Sequence, residues 1–306
     1  MHTTTGRWKL GITLAFCTAV LWGLLPIALK LLLLSMDAST VTWYRFTTAA
    51  ACLLLYALLS VRPMHVPSIT RSFTGLMCVA IVGLTSNYIF YLKGLEFSSP
   101  STTQVVIQLA PMLLLLGGLL IFKERFNRWQ WTGLMVFLLG IGLFFNQQIM
   151  SIHGISASYL LGIALVTLAS ITWAAYALAQ KQLLNHISSN TIMLCIYTAG
   201  GLVFFPLADP EQICKLSRDS MLLLIFCCAN TLLAYGSFAE ALNHLEASRV
   251  SAVLAITPIL TIVFNQTLIQ WFPQRIEAEL LNVVSLVGAC LMVFGSVLTA
   301  LSKQYN

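Results

Sequence analysis

Long stretches of apolar residues, separated by short polar breaks, constrain this chain more than any other feature of its sequence. A helix needs about 20 apolar residues to cross the hydrocarbon core of a bilayer. Barrel strands would instead alternate apolar and polar residues over about ten positions, so unbroken runs favour helices. The pattern predicts an all-α polytopic membrane protein with about ten transmembrane helices, at residues 10–32, 40–60, 73–93, 100–122, 130–147, 158–180, 190–207, 220–241, 247–270 and 279–300.

The charge content supports a membrane protein and excludes a nucleic-acid partner. Of the 306 residues 58% are hydrophobic and 8% are charged, whereas soluble domains carry about 25% charged residues. Lipid must therefore cover most of the outer surface. The net charge of +6 comes from 16 Lys and Arg residues that are spread thinly along the chain. Such a distribution is typical of loop charges that orient membrane spans.

The sequence offers no catalytic, metal or cofactor motif. Seven of the eight cysteines lie inside apolar runs and no C-x-x-C pair occurs, so we predict no metal site. The histidines fall in terminal or loop regions, and neither H-E-x-x-H nor a nucleotide-binding glycine motif is present. We therefore predict no enzyme and no cofactor. A membrane receptor or scaffold stays open as an alternative, and a channel or membrane enzyme is less favoured.

Lys and Arg residues near the span ends predict the orientation in the membrane. With the N-terminus inside, ten of them lie on the inner side, five lie on the outer side, and Arg45 falls within the second span. Cytoplasmic loops carry the excess of positive charge. We therefore expect a protein integral to the inner or plasma membrane with both termini in the cytoplasm.

The two halves of the chain resemble each other. Trp22 is followed eight residues later by Lys30, and Trp173 is followed eight residues later by Lys181, at an offset of 151. The fourth and ninth spans align at an offset of 147, which places Pro111 over Pro258.

This resemblance predicts two five-helix repeats, 1–147 and 158–306. An odd number of spans inverts the second copy, and inverted repeats are common among secondary transporters. Gene duplication that persists for packing alone is the alternative. The prolines should break the regular hydrogen bonding of their helices, and Gly140 and Gly142 should permit close approach of helices.

Three pieces of sequence resemble the EamA branch of the drug/metabolite transporter superfamily. They are the run WGLLPIALK from Trp22 to Lys30, Arg45 early in the second span, and FKERF at residues 122–126. The resemblance implies a secondary exporter or permease for small metabolites such as amino acids, with alternating access around a central cavity between the repeats. Gln270 and Trp271 stand where a second Glu-Arg pair would close the ninth span. This departure does not support a paired role for Glu124 in a symmetric gate.

Polar and aromatic side chains at membrane depth are the candidates for binding a small-molecule solute. Such side chains are costly in hydrocarbon and tend to face a cavity or a partner helix. Bonds between neighbouring helices are the alternative role for each of them. The predicted substrate-binding residues are Trp22, Asn87, Tyr88, Tyr91, Gln104, Gln108, Trp173, Tyr176 and Asn230.

Three charged residues are candidates for substrate attraction or ion coupling. Arg45 lies roughly 7 Å inside the second span at 1.5 Å per residue. It would either attract an anionic group such as a carboxylate or extend to the outer surface. Glu240 overlays Lys93 at the offset of 147. A buried Glu would exchange protons during transport, whereas an interfacial position would exclude that role for both residues.

Overall fold

α-Helices make up nearly all of the structure. The computed structural model describes residues 7–59, 71–121, 127–150, 156–245, 247–271 and 281–301. Within these ranges two short 3-10 turns follow α9, at Phe205–Leu207 and Pro210–Lys215. The helices are α1 (Trp8–Leu32), α2 (Ala38–Leu59), α3 (Arg71–Phe97), α4 (Pro100–Ile107), α5 (Leu109–Ile121), α6 (Arg128–Phe144), α7 (Asn146–Met150), α8 (Ala157–Leu183), α9 (Ser189–Phe204), α10 (Arg218–His244), α11 (Ala247–Leu254), α12 (Thr257–Trp271) and α13 (Val283–Leu301). The prediction of an all-α fold is confirmed for the described residues. The 122–126 motif, including Glu124, lies outside them.

Eight helical stretches in the described ranges are long and apolar enough to cross a membrane. They are Trp8–Leu32, Ala38–Leu59, Arg71–Phe97, Ala157–Leu183, Ser189–Leu207, Arg218–Phe238, Arg249–Gln270 and Val283–Leu301. The fourth predicted span is divided between α4 and α5, and α6 in the fifth has 17 residues. A membrane-spanning helical protein is thus confirmed, whereas the predicted number of ten crossings is not.

Prolines cause the breaks in the fourth and ninth predicted spans. Proline lacks an N–H, and its ring clashes with the carbonyl four residues earlier. Accordingly, α4 ends at Ile107, four residues before Pro111, and α11 ends at Leu254, four residues before Pro258. At the second break the Thr257 hydroxyl donates to the freed carbonyl of Leu254 at 2.6 Å. The two breaks lie at equivalent positions of the two halves.

Large apolar side chains on the outer faces of the helices are unprotected by the protein itself. Leu58, Leu120 and Leu202 are 75%, 78% and 71% exposed. In water such a surface would be an aggregation hazard, but helices satisfy their own backbone groups and tolerate hydrocarbon. These leucines are therefore placed to contact lipid tails.

Two long antiparallel helix pairs, α1 with α10 and α3 with α8, form much of the bundle. In the first pair Asn230 Nδ2 donates to the carbonyl of Leu21 at 2.7 Å. In the second pair Asn87 Nδ2 donates to the carbonyl of Ala169 at 2.9 Å. At the repeat offsets α1 is equivalent to α8 and α3 to α10, so an exchange of the two halves would convert one pair into the other.

Two further antiparallel pairs bring equivalent helices of the two halves together. Gly200 of α9 lies against the ring of Phe46 of α2. In α6 and α13 a Cβ atom added to either Gly140 or Gly288 would lie 2.7 Å from the carbonyl oxygen of the other. Glycine thus allows the α6 and α13 backbones to touch, which confirms the expected close approach at Gly140. For Gly142 that expectation is wrong among the described atoms, because an added Cβ meets nothing within 4 Å.

Polar contacts join α2 to the segment that follows α9. Asp37 precedes α2, and its Oδ1 atom accepts hydrogen bonds from the backbone N–H groups of Ser39 and Thr40 at 2.9 and 3.0 Å. Gln212 Nε2 donates to Asp37 Oδ2 at 2.8 Å. Partial burial raises the pKa of Asp37, but the bonds from Thr40 and Gln212 outweigh it and hold the pKa below its ordinary value.

Candidate functional site

A buried arginine marks the point where α2, α3 and α10 meet. Arg45 is the eighth residue of α2 and is 4% exposed. Its Nε atom donates to Thr231 Oγ1 of α10 at 3.1 Å, and its guanidinium carbon lies 4.6 Å from the ring centre of Tyr88 of α3. The arginine therefore points into the bundle rather than to the outer surface.

Aromatic packing holds this arginine in place. Phe46, the next residue along α2, is fully buried and its ring centre lies 4.6 Å from that of Tyr88. The Phe46 ring centre also lies 5.6 Å from that of Tyr197 of α9. Aromatic pairs at these separations contribute about 0.5–1.5 kcal/mol beyond their buried area. This packing holds the α2 backbone in place next to Arg45.

Two tryptophans flank the same region. Trp22 of α1 meets Tyr235 of α10 edge to face, with ring centres 5.5 Å apart. Trp173 of α8 lies 6.3 Å from Tyr176 in a similar edge arrangement. Trp22 and Trp173 are equivalent at the offset of 151, and Tyr88 and Tyr235 are equivalent at 147. Each half therefore contributes one member of both equivalent pairs to this region.

The polar and aromatic cluster at this point of the bundle consists of Arg45, Thr231, Trp22, Tyr88, Trp173, Tyr197 and Tyr235. Two tyrosine hydroxyls in the cluster are buried without a hydrogen bond of ordinary geometry to any described residue. They belong to Tyr88 and Tyr197, whose side chains are 4% and 2% exposed. Buried polar groups in proteins are nearly always hydrogen-bonded. One of the two, Tyr88, belongs to the ring that faces the buried guanidinium of Arg45.

The fourth predicted span contributes a glutamine to the same neighbourhood. Tyr91 Oη donates to Gln104 Oε1 at 3.3 Å, and Gln104 is 7% exposed. Tyr91 lies three residues after Tyr88 on α3, hence on the same side of that helix as the ring that faces Arg45. Gln108 is half-buried and ends α4 at the proline break, where its N–H donates to the carbonyl of Val105 at 3.2 Å. The structure thus brings Gln104 towards the arginine and leaves Gln108 at the break.

The two predicted asparagines join helices. Asn87 and Asn230 each donate to a backbone carbonyl of the neighbouring antiparallel helix. Both are buried, and Asn230 Oδ1 makes no hydrogen bond with a described residue. Each amide thus uses a donor to join two helices, which is the alternative role that the sequence left open.

Lys93 and Glu240 lie apart from the cluster. Lys93 Nζ pairs with Glu96 Oε2 at 2.8 Å on the surface of α3, where both side chains are about 40% exposed. The Glu240 side chain is 54% exposed and lies 3.1 Å from His244 Nε2, four residues along α10. We therefore leave both residues out of the site.

Three residues of the cluster escaped the sequence reasoning: Thr231, Tyr197 and Tyr235. Tyr235 could have been found, because it overlays Tyr88 at the offset of 147. Nothing in the sequence distinguishes Thr231 or Tyr197 from other polar residues in apolar helices. Among the residues that the structure describes, no three His, Cys, Asp or Glu side chains are grouped as metal ligands would be.

A bundle of long apolar helices in two similar halves, enclosing a buried polar and aromatic cluster, defines a polytopic α-helical membrane protein. The sequence pattern of the EamA-like transporter family matches residues 9–146 and again residues 160–301. The chain therefore belongs to the EamA-like transporter family.

Individual relatives agree with this membership. An uncharacterized transporter of Haemophilus influenzae is 39% identical over 297 residues, which cover 96% of both chains. The uncharacterized inner membrane transporter YhbE of Escherichia coli is 35% identical, with 96% of this chain and 92% of the relative covered. A probable amino-acid metabolite efflux pump of Salmonella typhimurium is 20% identical, with 92% of each chain covered.

A solved crystal structure has the same fold. It superposes with a TM-score of 0.65 at 16% sequence identity and covers 94% of both chains.

Proposed function

We propose that this protein is a secondary transporter that carries small metabolites, such as amino acids, by alternating access around the cluster at Arg45. It resides in the inner membrane with ten crossings and both termini in the cytoplasm. Family membership carries the assignment to transport. The positive-inside count supports the orientation, and the relative named as an inner membrane transporter supports the location.

The packing of equivalent helices supports alternating access. The pairs α2 with α9 and α6 with α13 join equivalent helices in antiparallel directions. Antiparallel equivalents are what an inverted repeat produces, and two inverted halves can exchange conformations to open first on one side and then on the other. The direct backbone contact between Gly140 and Gly288 can serve as a pivot for this motion.

The broken helices support a binding region near the middle of the bundle. Discontinuous helices at equivalent positions of two repeats are typical of transporter binding sites, because freed backbone groups can face the solute. Pro111 deprives the Ile107 carbonyl of its helical donor. At the other break the Thr257 hydroxyl satisfies the carbonyl of Leu254, whereas Ala110 stands at the equivalent position in the first half. The first break thus leaves a backbone acceptor beside Gln104 and Gln108.

The cluster around Arg45 is the part of the bundle that we propose to bind the solute. Trp22, Tyr88, Tyr235 and Gln104 supply aromatic surface and an amide there. Trp173 and Tyr176 complete the aromatic surface on the side of α8. Small-molecule sites are lined mostly by apolar and aromatic side chains with a few placed polar groups, and this cluster has that composition.

Flux into sealed proteoliposomes tests the proposal. Purified protein would be reconstituted, and a panel of radiolabelled amino acids and other small metabolites would be offered with and without a pH gradient. We expect protein-dependent, saturable flux for at least one solute, and dependence of its final level on the gradient would identify proton coupling. Absence of protein-dependent flux across the whole panel would contradict the proposal.

A further inference from the structure

We propose that Arg45 binds the carboxylate of the transported solute, so that the substrates are small carboxylates with an apolar body. The proposal rests on the proposed function and narrows its substrate class. A guanidinium is planar and presents its N–H donors as a fork that fits both oxygens of a carboxylate.

The charge of Arg45 is buried without an anionic partner in the described part of the chain. Arginine stays protonated in proteins, and burying an unpaired charge is costly. The ion pair of Lys93 with Glu96 and the contact of Glu240 with His244 both lie elsewhere. Thr231 and Tyr88, the neighbours that Arg45 does contact, are neutral.

The nearest acid in the sequence is occupied by other bonds. Asp37 lies eight residues before Arg45, about 12 Å along a helix axis. Its carboxylate accepts hydrogen bonds from Thr40 and Gln212. No Asp or Glu lies within α2 itself. An anion supplied from outside would therefore compensate the charge.

Comparison of the two halves shows that helix packing does not require an arginine here. Asp37 and Ser188 each accept a hydrogen bond from the backbone N–H three residues later, ahead of α2 and α9. These two residues differ by 151 positions, the offset of the tryptophans. At the same offset, Ile196 is the residue of the second half that is equivalent to Arg45, and Ile196 is fully buried. An apolar residue thus fills the equivalent place in the second half.

The surroundings of Arg45 suit a monoanion attached to an apolar group. The hydroxyl of Tyr88, whose ring faces Arg45, is buried, has no hydrogen bond of ordinary geometry to a described residue, and can donate to an oxygen. Trp22 and Tyr235 offer aromatic surface for the rest of the solute. One guanidinium matches the single charge of a carboxylate, whereas a phosphate monoester carries nearly two charges at pH 7.

Matched pairs of probes test the charge requirement. L-leucine, L-phenylalanine and 4-methylpentanoate would be compared with leucinamide, phenylalaninamide and 4-methylpentanamide. Protein-dependent flux and the rise in melting temperature of the purified protein would both be measured. We expect the carboxylates to be active in both assays and the amides to be weaker by about tenfold to a hundredfold, the range for a lost charged hydrogen bond.

Variants test the residue. Arg45→Ile copies the residue of the second half and should abolish carboxylate flux and stabilisation. Arg45→Lys keeps the charge without the fork and should raise KM by about tenfold with a smaller change in kcat. Lys93→Gln removes a surface cation and serves as the matched control, with wild-type flux.

The outcomes separate this inference from the proposed function. Flux that is unchanged in Arg45→Ile would overturn the carboxylate site and leave transport standing. If carboxylates stabilise the protein only when Arg45 is present but no flux is found, the carboxylate site stands and the proposed transport function is contradicted. If Arg45→Ile does not fold, an unchanged KM in both Arg45→Lys and Thr231→Val overturns the inference. A wild-type protein that responds to no carboxylate in either assay overturns it as well.

Discussion

Replacement of Gly140 by alanine should destabilise the bundle strongly, because α6 and α13 touch through their backbones there. The new Cβ would lie 2.7 Å from the carbonyl oxygen of Gly288 and closer still to the backbone nitrogen of Met292. Ordinary contacts of this kind lie at 3.4–4 Å. Both neighbours are backbone atoms, so no side chain can move aside. Relief of the contact with the carbonyl oxygen alone requires the helices to separate by roughly 0.7 Å, the difference between 3.4 and 2.7 Å, and relief of the closer contact with Met292 requires more.

The magnitude follows from the cost of overpacking and from a control on the same helix. Extra methyl groups in a packed interior cost about 1–3 kcal/mol. Separation also weakens the contacts of Phe137, Phe144 and Met292, which are nearly fully buried. Gly142→Ala meets nothing within 4 Å and should be neutral or gain up to about 1 kcal/mol from helix propensity. We expect the two variants to differ by about 2 kcal/mol or more.

Unfolding of purified protein in mixed micelles, driven by increasing SDS, measures the difference. Gly288→Ala should repeat the loss seen for Gly140→Ala. The double variant should lose less than the sum, because both methyl groups push the same two helices apart. Equal stability of Gly140→Ala and Gly142→Ala would refute the direct backbone contact.

Three further changes have defined outcomes. Asn230→Ala removes the bond to Leu21 and should lower the free energy of unfolding in micelles by about 0.6–1.7 kcal/mol, with KM unchanged. The lowered pKa of Asp37 adds stability that is fully present above its unfolded pKa near 3.8 and is lost as pH falls through the lower folded value. Asp37→Asn should therefore reduce the melting temperature at pH 7, and the reduction should shrink progressively as pH falls below 3.8. Lys93→Gln breaks the exposed pair with Glu96 and should change stability by less than about 1 kcal/mol, measured by the same SDS unfolding.

The sequence predicts the helices well because hydrocarbon imposes one simple requirement. A span must be apolar and helical, so composition alone reveals α1 or α8. The break after Ile107 was also predictable in kind, since a proline such as Pro111 deprives a helical carbonyl of its donor. Its effect on helix length was not, and the fourth span therefore appears as two short helices, α4 and α5.

The site is harder to predict because a helix in lipid is apolar on every side. Periodicity then does not reveal which face meets the cluster, so Asn87 and Tyr88 were equal candidates although one joins helices and the other faces Arg45. Likewise Gly140 and Gly142 look alike in sequence, and only the position of α13 distinguishes them. The comparison of halves helps most, because it relates Tyr235 to Tyr88.

Accessibility of the cluster from each side of the membrane tests alternating access most directly. Thr231→Cys, in a variant whose eight native cysteines are replaced and whose flux is retained, would be exposed to a membrane-impermeant maleimide from inside or outside in oriented vesicles. We predict that the cysteine reacts with maleimide added from either side. A transported solute that favours the inward-open or the outward-open conformation should slow labelling from the side that this conformation closes. Reaction from neither side would contradict a transport site at Arg45. Simultaneous full reactivity from both sides, unaffected by solute, would indicate an open pore and contradict alternating access.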